Sequence, residues 1–95
     1  MIDIDNSELV EVGLKAAAQV EGLGKIERVK VVTRLDESDQ PAYYFRFMTD
    51  DFAGRGLAFT RLGMKIRDEL IARGDDRYPY ISVMSRSDWE KREGA

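Results

Sequence analysis

Neither cysteine nor histidine occurs among the 95 residues, and these two absences exclude more chemistry than any motif adds. Without cysteine there are no disulfides and no thiolate nucleophiles. Without histidine there is no Ser-His-Asp triad and no imidazole general base, and with both gone the usual Cys and His zinc sites are closed. An enzyme built on this chain would have to work with Asp, Glu, Lys, Tyr, Ser or a bound metal, and no pair of these is set apart by its spacing. No catalytic set and no cofactor motif is read, and the expectation is a protein that is not an enzyme. An excess of base is also missing. The chain has 15 Lys and Arg against 18 Asp and Glu, a net charge of −3, so any hold on nucleic acid must come from a local patch. No apolar run approaches the roughly 20 residues that cross a bilayer, and the start, Met1-Ile2-Asp3-Ile4-Asp5-Asn6-Ser7-Glu8, is acidic where a signal peptide is basic. A soluble, cytoplasmic protein without membrane contact is therefore expected.

What is present suits one domain spanning 1–95. With 43% apolar and 35% charged residues the chain can form a core and stay dissolved, and at this length folding buries roughly 60–65% of the unfolded surface. Asp5 and Glu8 have capping-box spacing ahead of a segment whose Leu9, Val12, Ala16 and Val20 recur at helical period. Gly22 and Gly24 end that helix. From Ile26 to Leu35 the period changes to two, placing Val29, Val31, Thr33 and Leu35 on one side and Arg28, Lys30, Val32 and Arg34 on the other. A polar loop, Asp36-Glu37-Ser38-Asp39-Gln40-Pro41, then closes a hairpin onto a second strand. There Tyr43, Phe45 and Phe47 share one face, and Tyr44, Arg46 and Met48 share the other.

The stretch from Ala42 to Arg73 is the strongest pattern in the chain, a strand, a glycine-containing turn and an amphipathic helix. Phe59, Leu62, Gly63, Ile66 and Leu70 form the apolar stripe of that helix, and Gly74 is its expected cap. Tyr78 to Met84 reads as a third strand, with Pro79 restricting it to a sheet edge or a strand start. Residues 86–95 read as either a short helix anchored by Trp89, capped from Ser87 to Glu90, or a frayed tail. The order α-β-β-α-β predicts an α+β, two-layer fold with both main helices on one face of a three-stranded sheet. Whether the third strand pairs with the first or the second is not encoded in these patterns.

The run Gly74-Asp75-Asp76-Arg77-Tyr78-Pro79-Tyr80-Ile81 after an amphipathic helix resembles the closing part of a type of short bacterial protein of uncharacterised function. That resemblance implies a bacterial source and no site residues. The order of elements is similar to that of RNA-binding KH-like modules, in architecture alone, because no Gly-x-x-Gly loop joins two helices here.

Three groups of residues are candidates for a site. The outer sheet face would carry Arg28, Lys30, Val32, Arg34, Tyr44, Arg46, Met48, Tyr80 and Met84, too apolar a set to stand in water uncovered. A homodimer or a partner protein on this face is the first expectation. RNA or single-stranded nucleic acid is the second, through ring stacking and phosphate contacts. The bland account is cover by the Trp89 segment, with arginines lying over apolar neighbours. The second group is acidic: Asp36, Glu37 and Asp39 of the hairpin loop should lie at the same end as Asp75 and Asp76, with Asp3 and Asp5 nearby, where oxygen ligands could hold Mg²⁺ or Ca²⁺. Exposed turns carry carboxylates for local reasons, and that explanation is preferred. The third is Phe52-Ala53-Gly54-Arg55-Gly56, a helix start that could receive an anion but lacks the P-loop ending. A turn that needs glycine accounts for it more simply.

Overall fold

A computed structural model describes residues 4–50 and 54–93. The element order is α1 (Asn6–Gln19), β1 (Arg28–Leu35), β2 (Pro41–Met48), α2 (Gly56–Ala72), β3 (Tyr78–Met84) and α3 (Arg86–Glu93). The α+β class, the two main helices and the three strands agree with the sequence patterns. Three of the helix boundaries have a clear local cause. The Asp5 carboxylate accepts the Glu8 N–H at the start of α1, which satisfies one of the free donors of the first turn. At the end of α2, Gly74 adopts φ +82°. The Gly74 N–H then bonds the Ile71 carbonyl and the Asp75 N–H the Leu70 carbonyl, the two bonds of a Schellman cap. The terminal helix is capped two residues earlier than its sequence suggests: Ser85, not Ser87, accepts the Asp88 N–H.

The sheet order is β1-β2-β3, with β1 and β2 antiparallel and β2 and β3 parallel. The strand choice that the sequence left open therefore falls to β2, which becomes the central strand. That placement explains its burial. Tyr43, Phe45 and Phe47 are fully inaccessible, covered by both helices and by a strand on each side. Their partners in the core are Leu9, Val12 and Ala16 from α1, Leu62, Ile66 and Leu70 from α2, and Val31. Helix α1 lies against β1 and α2 against β3, and Arg73 at the end of α2 pairs with Glu8 at the start of α1, 3.5 Å apart. A second, smaller cluster of Met48, Met84 and Trp89 lies apart from this core. By strand parity it belongs to the opposite side of the sheet.

Candidate functional site

The register stacks the outer face in rows. Arg28, Met48 and Met84 form one, Lys30, Arg46 and Ser82 the next, then Val32, Tyr44 and Tyr80, then Arg34, Ala42 and Tyr78. The strands thus bring the expected surface residues together, but they do not leave all of them open. Met48 and Met84 are only 2% and 8% exposed, because α3 lays Trp89 against them. The contiguous apolar patch expected from the sequence is therefore interrupted at that end, by the Trp89 cover that was its alternative account. Helix α3 is so polar that this one ring is its apolar anchor. Its start is tied down by Arg86, whose N–H donates to Asp50 at 2.9 Å and whose guanidinium pairs with Glu27.

At the other end the aromatic rings cover one another. Tyr44 and Tyr80 stack with centroids 5.0 Å apart and planes 14° apart, and Tyr78 meets Tyr80 edge-on at 4.8 Å. The Arg34 guanidinium lies over the Tyr44 ring, 4.1 Å from its centroid, the favourable cation–π geometry. One face of Tyr44 is thus against Tyr80 and the other beneath Arg34. Base stacking on a sheet needs a ring that presents an open face, and Tyr44 does not present one. No acidic residue occupies an outward position in the three strands, so Arg28, Lys30, Arg34 and Arg46 give this face a cationic character within an acidic chain.

Two of the acidic residues, Asp36 and Asp75, are used separately, each by its own turn. Asp36 accepts the Ser38 and Gln40 N–H groups at 2.8 and 3.1 Å and the Tyr80 hydroxyl at 3.2 Å, and these hydrogen bonds hold its carboxyl below the usual value, the Gln40 bond most strongly. Asp75 turns inward and is 5% exposed. It accepts the Tyr43 hydroxyl and the Arg77 N–H, while Arg77 also donates to the Tyr43 oxygen at 2.9 Å. Burial, followed by the hydrogen bond to Asp75, pushes the Tyr43 phenol up to about 12. Among the described residues no group of three or more acidic side chains is placed to hold a metal ion. Of the glycine-containing turn, Phe52 and Ala53 lie outside the described residues. Arg55 donates to the Gly22 carbonyl at 2.6 Å, which fastens the start of α2 to the loop after α1.

A surface that the sequence did not single out lies along β3. A groove of about 440 Å³ runs between this edge strand and α2, with Phe59, Met64 and Arg67 above and Tyr78, Ile81 and Val83 along the strand. Met64 is 63% exposed and Tyr78 47%. Arg67 reaches across the groove mouth to the Tyr78 ring, 5.3 Å from its centroid. The sequence carries a trace of it in Pro79, which points to an edge; Met64, an apolar residue off the helix stripe, is a signal that the sequence reading passed over. Only the pairing of β3 with β2 brings the two to one flank.

No protein-family model, characterised protein or solved structure matches the chain. Among the described residues, no helix is long and apolar enough to cross a membrane.

Proposed function

We propose that the chain is a non-catalytic protein-interaction module, and that its partner is met on the flank where β3 meets α2 and on the adjoining tyrosines. One observation carries this reading: the exposed apolar side chains Met64, Tyr78 and Tyr80 converge on a single groove. Single exposed apolar residues are ordinary on a soluble protein, but several lining one concavity mark a surface that gains by being covered. The outer face proper is a weaker candidate for self-association. A two-fold interface would set its four cations against their own copies, and like charges brought together are unfavourable.

The test compares capture of partners from a lysate of the source organism by the immobilised chain and by its Met64→Glu variant. Met64 is outside the core, so the variant keeps its melting temperature. The expected result is a defined partner, quantified by mass spectrometry, that the variant loses and that Lys30→Glu retains. Equal retention by all three proteins would remove the reading.

A further inference from the structure

The helix layer is wider than the sheet beneath it. Packed helices lie about 8–10 Å apart and paired strands about 4.8 Å apart, so two helices side by side cover about four strands. This sheet has three, with α1 on the β1 side and α2 on the β3 side. The two edges are not equivalent. On β1, the Asn6 side-chain amide donates to the Val31 carbonyl at 2.9 Å, which occupies that edge at its middle. On β3, the Met84 carbonyl accepts the Thr49 N–H, so it faces β2. Backbone direction alternates along a strand, hence Tyr80 and Ser82 also face β2, while Ile81 and Val83 turn their N–H and C=O groups outward. Pro79 shares that outward side and has no N–H to leave unsatisfied. Beyond Ile81 and Val83, among the described residues, lies the groove roofed by Phe59, Met64 and Arg67.

We infer that this groove is a lane for a fourth strand: an extended segment of a partner protein adds to the β3 edge beneath α2, with apolar side chains at alternate positions and an acidic residue at the Arg67 end. Backbone bonds to Ile81 and Val83 would supply affinity, and the pockets beside them would select side chains, as in other strand-addition sites. Alternation follows from the geometry of an added strand, one face of which lies under Phe59 and Met64. The acidic end follows from charge: the groove lining contains Arg67 and no Asp or Glu. Gly63 adds a fit of its own, since a Cβ there would come within 3.3 Å of Ile81 Cγ1. With no side chain at this point the helix passes close to the strand, and a methyl group there would ask only a few tenths of an ångström of the Ile81 side chain. A second copy fits the lane less well. Pairing β3 with its own symmetry mate would bring two overhanging α2 helices together over two strands that need only one helix's width.

This inference rests on the interaction-module reading, and its test is chosen to fail separately. The probe is the capped peptide Glu-Val-Thr-Val-Thr-Val-Thr-Glu, which offers a carboxylate at Arg67 whichever way it runs. Controls are the same peptide with Lys at both ends and one with a central Pro. Amide NMR of the full chain is expected to show shifts and slowed hydrogen exchange at Ile81 and Val83. Binding should be lost with the Pro peptide and about fivefold weaker with the Lys peptide, a factor in the range of one exposed ion pair. Arg67→Glu, a change at an exposed position, should reverse the preference between the two charged peptides. Three results would each overturn the inference: no peptide moves the Ile81 and Val83 amides, the shifts centre on Lys30 and Arg46, or both amides are already protected in a dimer seen by light scattering. If the amides stay silent while Met64→Glu still loses a captured partner, strand addition falls and the module reading stands.

Discussion

Tyr43, Asp75 and Arg77 show how a residue's role depends on contacts far along the chain. In the sequence Asp75 is one acid of a polar turn; in the fold it is buried because the parallel β2-β3 pairing carries Tyr43, 32 residues earlier, to the end of α2. Its carboxylate is then satisfied by the Tyr43 hydroxyl and the Arg77 N–H, as a buried charge must be. The phenol is shifted up to about 12, from an ordinary value of 10, by burial and then by Asp75. Since the folded chain holds this proton more tightly than the unfolded one, the contribution is complete below pH 10 and is lost as pH rises toward about 12. Tyr43→Phe should therefore lower stability at neutral pH by about 1–3 kcal/mol, the cost of leaving a buried acceptor short of a donor. Urea unfolding at pH 7 and again across the alkaline range checks this. The variant should show a smaller alkaline fall than the parent, and an equal fall would mean that Tyr43 is not the titrating group.

Among the elements, the helices and strands were legible because each has one face that must be buried, and the period of that face is local information. The interior set Leu9, Val12, Ala16, Phe45, Phe47, Leu62, Ile66 and Leu70 could be read this way, and it forms the core. What could not be read depends on two elements at once: the partner of β3 and the groove under α2, while the cover by Trp89 was legible only as one of several accounts of the outer face. Two glycines in helix interiors, Gly13 and Gly63, make the difference measurable. Alanine favours a helix over glycine by about 1 kcal/mol at either position, yet the surroundings differ. A Cβ at Gly13 would meet two ring carbons of Phe45 at 3.2 and 3.4 Å and Val29 Cγ1 at 3.3 Å. Phe45 has no accessible surface and stacks on Phe47, so it cannot give way, and overpacking of this kind costs about 1–3 kcal/mol. At Gly63 the one near atom is Ile81 Cγ1 at 3.3 Å, on a half-buried edge residue with room to turn. Gly13→Ala should lower the urea midpoint and Gly63→Ala should hold or raise it. The same sign for both would show that packing does not separate the two sites.

For the molecule as a whole, the outer sheet face depends on an element that barely belongs to the fold. α3 is eight residues long, shorter than an isolated helix that persists in water, and Trp89 is its one apolar side chain. Its stability comes from that ring on Met48 and Met84, from the Ser85 cap, and from Arg86 on Asp50 and Glu27. The exposed patch that the strand alternation foretold is thus covered at its Met48 and Met84 end by Trp89, while Tyr78 and Tyr80 stay exposed at the other. Trp89→Ala should uncover it. Truncating a buried tryptophan removes about 3 kcal/mol or more, and here the loss is concentrated in a cluster separate from the main core. The amides of residues 86–93 should therefore move to coil positions and a hydrophobic dye should bind at Met48 and Met84, while Phe45, Phe47 and Leu62 keep their protection from exchange. Loss of protection across all of β2 would show instead that the small cluster and the main core unfold as one unit. That result would make α3 part of the scaffold and not a cover laid over its cationic face.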